Sequence, residues 1–192
     1  MKKICPKCQT RFEPDSEYCS EDQTELINDY SGVNISERYE VKEPIGFGGM
    51  AGVYAGEHLS MERKVAIKII PTRDPNAAGR FRREAKATSV LKNPHTITVY
   101  DFGQMDNGDL YLVMELLNGL PLSQLTKQKQ GLDAMRAVSI IEQCLRSLKE
   151  AHDHNIVHRD LKPDNIFLTE RDSKQDFVKV LDFGISVRSY TE

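Results

Sequence analysis

Tryptophan is absent and aromatic residues make up only 7% of the 192 positions, so any core must be built mainly from aliphatic side chains with a few Tyr and Phe. No apolar run approaches the roughly eighteen residues a membrane helix requires. The longest candidate lies around Leu110 to Leu117, and no membrane span is expected. A strong excess of one charge is also missing. Lys and Arg number 26 against 29 Asp and Glu, for a net charge of −3, which gives no reason to expect nucleic acid as a partner. The local basic cluster Arg80, Arg82, Arg83, Lys86 reads as the solvated face of a helix. Met1-Lys2-Lys3-Ile4 runs at once into Cys5, Pro6 and Lys7, leaving no room for the apolar segment of a signal peptide, so a cytoplasmic location is the expectation. Cysteine is scarce: there are four, three of them within the first nineteen residues and Cys144 alone in a helical pattern. In a reducing compartment that spacing suggests metal before disulfide.

Charged residues at 29% and hydrophobic ones at 39%, mixed along the chain, indicate a globular protein. Residues 1–26, rich in Cys, Pro and acidic side chains, have no period that could support a core and need a staple. The polar run Asn28, Asp29, Ser31, Gly32, Asn34, Ser36 reads as a linker over 27–37. From Arg38 the pattern changes to short strands, expected at Tyr39–Pro44, Gly52–Glu57 and Lys64–Ile70. A helix follows over Ala78–Leu91, then strands at Thr96–Phe102 and Leu110–Leu116 around the turn Asp106-Asn107-Gly108-Asp109. Asp133 is placed as an N-cap. Ala137, Ile141, Cys144, Leu145, Leu148 and Ala151 then recur at helical spacing, which makes Cys144 a small core residue.

Gly46-Phe47-Gly48-Gly49-Met50-Ala51-Gly52-Val53 lies between two predicted strands, where a turn can bring backbone N–H groups to phosphate oxygens. It leads into a strand and not a helix, which disfavours a dinucleotide-binding fold. Val65-Ala66-Ile67-Lys68 puts one ammonium on an apolar strand, a costly arrangement unless anions receive it. Nucleotide phosphates and the carboxylate of Glu84 are the available anions. Further on stand His158-Arg159-Asp160-Leu161-Lys162-Pro163-Asp164-Asn165 and Leu181-Asp182-Phe183-Gly184. An earlier Asp101-Phe102-Gly103 precedes these and is read as a turn without catalytic role. His95, His152 and His154 have no partners at ligand spacing.

In this order the motifs resemble those of bacterial-type Ser/Thr protein kinases. The resemblance implies an α+β fold over residues 38–192. Its N-lobe, about 38–117, is an antiparallel sheet plus one helix, and 118–192 form part of a helical C-lobe. It implies an ATP-dependent enzyme that transfers the γ-phosphoryl group to Ser or Thr hydroxyls of proteins, with ATP and Mg²⁺ as cofactors. Lys68, held by Glu84, grips the α and β phosphates. Asp182 and Asn165 ligand Mg²⁺, Asp160 receives or orients the hydroxyl proton, and Lys162 contacts the γ-phosphate. Ile45, Gly46, Gly48, Gly49, Val53, Ala66 and Phe167 surround the nucleotide. Met114 is the gatekeeper, and Glu115 to Leu117 form the hinge to adenine. His158 and Phe183 are packing residues.

Two departures bear on this reading. Ala51 stands where the third glycine of G-x-G-x-x-G is expected, with Gly52 one place later. No A-P-E motif follows Gly184 within the 192 residues, so weak or absent phosphate transfer is expected of this chain alone. A nucleotide-binding interaction module is the alternative. In the first 26 residues, Cys5-Pro6-Lys7-Cys8 and Cys19-Ser20-Glu21-Asp22 are two knuckle-like pairs that resemble the small zinc ribbons ahead of some bacterial kinases. The expected Zn²⁺ site comprises Cys5, Cys8, Cys19 and Asp22; the open alternatives are a ribbon without metal, or water or a partner residue as fourth ligand.

Overall fold

The computed structural model describes residues 1–48, 51–72, 74, 76–127, 132–171 and 174–183. Gly49, Met50 and residues 184–192, with Gly184 of the Leu181-Asp182-Phe183-Gly184 motif, lie outside the described residues. The chain divides into two compact units, residues 1–75 with 101–116 and residues 76–100 with 117–192. Among the described residues no helix is long and apolar enough to cross a membrane.

The first unit begins with three two-residue strands, β1 (Lys3–Ile4), β2 (Arg11–Phe12) and β3 (Ile27–Asn28), paired antiparallel in the order β2-β1-β3. Strands this short cannot stand alone. Behind them lies a very small core of Cys5, Cys19 and Leu26 with Phe12 against it. A six-stranded sheet follows, made of β4 (Asn34–Ile35), β5 (Tyr39–Gly48), β6 (Ala51–His58), β7 (Arg63–Ile70), β8 (Val99–Gln104) and β9 (Leu110–Glu115), in the order β4-β5-β6-β7-β9-β8. The apolar run on β7 explains its central place: Val65 to Ile70 are all buried, Lys68 included, as expected for a strand covered on both faces.

Residues 27–37, expected as a linker, carry β3 and β4 and a dense set of hydrogen bonds. The Asp29 N–H donates to Lys2 O, the Gly32 N–H to Val41 O and the Val41 N–H to Val33 O. Arg11 Nε lies 2.7 Å from Asp29, whose side chain is 4% exposed. Burial opposes ionisation of Asp29, but hydrogen bonds from the Ser31 side chain and backbone, with Arg11, hold its carboxyl below the ordinary range. The stretch is therefore hydrogen-bonded structure around a buried Asp29 carboxylate, which also accepts the Ser31 N–H, and not a free tether.

The second Asp-Phe-Gly also sits in structure, within β8. Asp101 accepts a hydrogen bond from Tyr39 Oη at 3.0 Å and an ion pair from Arg38 at 3.0 Å. Gly103 lies so close to Tyr111 that an added Cβ would meet its hydroxyl oxygen at 2.7 Å. The expected turn after β8 is present, with the Met105 N–H donating to Asp109 O, the Gly108 N–H to Met105 O, and Gly108 at φ +92°.

The second unit holds α1 (Ala77–Ser89), β10 (Gly119–Pro121), the one-turn helix α2 (Leu122–Thr126), α3 (Ala134–Asp153), β11 (Ile166–Arg171) and β12 (Lys174–Val180). Strands β10, β11 and β12 form an antiparallel sheet in that order, not foreseen from the sequence. Arg82, Arg83 and Lys86 form an exposed face of α1. Asp133 caps α3 by accepting from the Met135 and Arg136 N–H groups. The buried stripe of α3 is Ile140, Cys144, Ser147 and Ala151, while Ile141 and Leu145 are exposed. The helix carries apolar residues on two faces, so spacing alone does not select the packed one. Cys144 is in the core, and burial pushes its thiol up to about 11.

Candidate functional site

Pairing registers collect the expected nucleotide residues of the first unit on one sheet face. Gly46 pairs with Val53, Val53 with Lys68, and Ala66 with Met114. Directly paired residues share a face, and Ala66 and Lys68, two apart, share it as well. Val53 is half-buried, Ala66, Lys68 and Met114 are buried, and Ile45 on the bulged stretch of β5 is exposed. Glu115 ends β9 half-buried. The opposite face of β6 carries Gly52, Tyr54 and Gly56. A Cβ on Gly52 would stand 2.6 Å from the Tyr54 ring, whereas Ala51 is tolerated and buried. The displaced glycine therefore sits where an aromatic ring requires it.

In the second unit Glu84 is half-buried on α1, Leu117 is half-buried just before β10, and Phe167 is half-buried on β11. The loop from His158 to Asn165 runs from α3 into β11. It is fastened to the segment before Asp182 by backbone: the Leu181 N–H donates to Asn165 O at 2.9 Å, and His158 Nε2 lies 2.7 Å from Leu181 O. His158 Nδ1 accepts the Asp160 N–H at 3.3 Å, which makes Nε2 the protonated nitrogen that donates to Leu181. His158 thus does more than the packing read from sequence, although its ring also lies 4.7 Å from the buried Phe183 ring. The Phe183 carbonyl accepts from Thr88 Oγ1 at 3.1 Å.

Asn165 Nδ2 donates to Asp160 O at 2.8 Å and to Asp160 Oδ2 at 3.2 Å, and Lys162 Nζ reaches the same Oδ2 at 2.9 Å. Both of these Asn165 bonds use its amide nitrogen. The Lys162 and Asp160 side chains are 49% and 45% exposed, and an ion pair that open to water contributes about 0–1 kcal/mol. Lys162 can be handed to another anion at little cost. Arg159 and Asp182 have φ of +64° and +56°, left-handed values that non-glycine residues seldom hold and that cluster at functional sites.

The amino-terminal residues form a second constellation. The ligand atoms of Cys5, Cys8, Cys19 and Asp22 all lie within 4.8 Å of one another. Cys8 Sγ and Cys19 Sγ are 3.6 Å apart, and Cys5 Sγ is 3.7 Å from both Asp22 oxygens. A tetrahedral zinc with normal bond lengths has edges of about 3.8 Å between sulfurs and about 3.5 Å between sulfur and oxygen. The two knuckles repeat each other. The Cys5 N–H donates to Thr10 O and Gln9 N–H to Cys5 O, while Cys19 N–H donates to Thr24 O and Gln23 N–H to Cys19 O. Gln9 and Gln23 have φ of +62° and +57°. The sequence signal is Cys5-x-x-Cys8-Gln9-Thr10 repeated as Cys19-x-x-Asp22-Gln23-Thr24, which sets Asp22 where the first knuckle has Cys8. Hydrogen bonds with Thr10 lower the Cys8 thiol to about 7, burial raises Cys19 to about 11, and Thr24 holds Asp22 below the ordinary carboxylate range.

The first unit thus carries a buried lysine on a sheet next to glycine-rich strands, and the second carries a loop that ties Asp160, Lys162 and Asn165 to the Asp182 segment. Residues 39–192 match the protein kinase domain family, and the chain belongs to that family. It is 41% identical over 167 residues, 85% of its length, to the serine/threonine-protein kinase Pkn3 of Myxococcus xanthus. It is 39% identical over 158 residues, 81% of its length, to PrkC of Bacillus subtilis. It spans 30% and 24% of those two relatives. Among solved structures it resembles Rad53 residues 1–466 in complex with AMP-PNP, with a TM-score of 0.67 and 29% identity, covering 78% of this chain and 39% of that one.

Proposed function

We propose that this chain carries the MgATP-binding and catalytic residues of a protein Ser/Thr kinase. The observation that carries the reading is the Asp160–Lys162–Asn165 cluster, tied through Leu181 to the segment bearing Asp182. Phosphoryl transfer leaves a protein mainly the work of positioning and charge neutralisation. Lys68 meets nucleotide phosphates from the sheet face it shares with Val53, Ala66 and Met114, with Gly46 and Gly48 supplying backbone to the turn. Asp160, oriented by Asn165, takes the proton of a Ser or Thr hydroxyl. Lys162 leaves its weak pairing with Asp160 to meet the γ-phosphate. The Asp182 carboxylate and the Asn165 amide oxygen are hard oxygen donors that would hold Mg²⁺, which would supply neutralisation of phosphate charge. Partners on this reading are MgATP and proteins with Ser or Thr, in the cytoplasm.

The same proposal assigns one Zn²⁺ to Cys5, Cys8, Cys19 and Asp22, supported by sulfur and carboxylate spacings near tetrahedral edges. Its role is structural, because four protein ligands close the coordination shell. Transfer of radiolabelled γ-phosphate from ATP to protein, followed by phosphoamino-acid analysis, tests the kinase reading. Label on Ser or Thr that disappears in Asp160→Asn supports it. Nucleotide binding with no Asp160-dependent transfer would favour a nucleotide-binding interaction module instead.

A further inference from the structure

Tyr54 joins the amino-terminal module to the Gly-rich turn. It is fully buried on β6, on the sheet face opposite Val53 and Lys68. Its hydroxyl donates to Asn28 O at 3.3 Å and accepts the Tyr30 N–H at 3.4 Å. Asn28 belongs to β3, which pairs with β1 immediately before Cys5. Tyr30 is also buried, and its own hydroxyl is fixed by Asp109 on β9's side of the sheet. The Tyr30 and Tyr54 rings meet edge-on at 6.0 Å. On its other side the Tyr54 ring meets Phe47 edge-on at 6.3 Å and covers Gly52. Phe47 and Gly52 are paired residues on the two strands that flank the turn.

We infer that Tyr54 is a positioning residue for the nucleotide turn, clasped by Asn28 and Tyr30 so that filling the Cys5/Cys8/Cys19/Asp22 site braces Phe47 and Gly52 from behind. The module has almost no apolar core of its own, so its strands depend on the metal staple. Without the staple, β3 loses the partner that holds Asn28, and the Tyr54 hydroxyl is left buried with an unmade bond, a state that costs more than the bond contributes. The ring then has reason to shift, and Phe47 and Gly52, which it packs against, shift with it. The zinc module is on this account part of the nucleotide apparatus and not an appendage. The inference rests on the zinc and nucleotide assignments above.

Two readouts on the same samples test it: wild type and Tyr54→Phe, each zinc-loaded and stripped with a zinc-selective chelator. Tyr54→Phe keeps the ring and removes only the hydroxyl, so folding is preserved. Amide hydrogen exchange without nucleotide is the first readout. Stripping zinc from wild type should speed exchange across residues 44–56 roughly five- to tenfold, the equivalent of losing about one buried hydrogen bond, while leaving α3 unchanged. Zinc-loaded Tyr54→Phe should show the same acceleration, and stripping it should add little. The second readout is the dissociation constant of a fluorescent ATP analogue with Mg²⁺, which should rise by a similar factor in the same three states. Exchange across 44–56 that ignores both zinc and the hydroxyl would overturn the clasp, as would an equal response to zinc in both backgrounds. Coupled exchange in a protein that binds no nucleotide would leave the clasp standing and sink the kinase reading.

Discussion

Asp182 holds φ +56° immediately before the buried Phe183, and this backbone state can be measured. Replacing Asp182 by Gly or by Ala removes the same side-chain interactions, so the pair differs only in the Cβ and its backbone consequences. At an ordinary position Gly is the worse of the two by about 0.5–1 kcal/mol, through the entropy of the unfolded chain. In the left-handed region a Cβ costs about 1–2 kcal/mol. The expected result is a reversed order, with Asp182→Gly more stable than Asp182→Ala by up to about 1 kcal/mol. In a chain of this size that separates the thermal midpoints by about 2–4 °C. Calorimetry or urea denaturation without nucleotide resolves it. An Ala variant as stable as the Gly variant would refute the claim that Asp182 is held in a strained conformation by its surroundings.

Three further outcomes are expected. His95 is buried with Nδ1 3.1 Å from Val178 O, and burial keeps its pKa below 6.5. The unfolded chain therefore binds that proton more readily, so stability is full above about 6.5 and falls as pH drops toward the folded value; His95→Gln should flatten that acid slope in urea titrations. In zinc competition against a chromophoric chelator, Asp22→Cys should bind more tightly than wild type and Asp22→Ala more weakly, whereas equal affinities would remove Asp22 from the site. Gly119→Ala places a Cβ 2.0 Å from the Leu168 carbonyl oxygen; backbone cannot yield as a side chain can, and a loss of about 1–3 kcal/mol is expected in denaturation.

The strands of the first unit were legible because β7 from Val65 to Ile70 is apolar apart from Lys68 and the Asp106-Asn107-Gly108-Asp109 turn punctuates the next hairpin. Phosphate-binding candidates followed from Lys68, which has no ordinary reason to sit on such a strand. What sequence hid was long-range. Asn28, Asp29 and Ser31 look like tether, yet the Asn28 carbonyl accepts from Tyr54 and the Asp29 carboxylate accepts from Ser31 and from Arg11, across a distance the composition does not reveal. Asp101-Phe102-Gly103 reads from sequence as a turn, yet it lies within β8, and the Asp101 partners Tyr39 and Arg38 lie some sixty residues earlier. On α3, Cys144, Leu148 and Ala151 were placed in the core as found, but Ile141 and Leu145 are exposed and Ile140 is buried instead, because these residues are equally apolar. The clasp at Tyr54 has no local signature, since a Tyr in a strand is ordinary until its hydroxyl is seen to reach another element.

Titration calorimetry with ATP in the presence and absence of Mg²⁺ bears most directly on the central claim that this chain carries a MgATP site. Wild type should bind one nucleotide in a Mg²⁺-dependent manner. Lys68→Met should weaken binding about tenfold or more, the effect of losing a charge-assisted contact of about 1.5–3 kcal/mol, and Asp182→Asn should abolish the Mg²⁺ dependence. A folded wild type that binds no MgATP, or variants that bind it as tightly as wild type, would contradict the account.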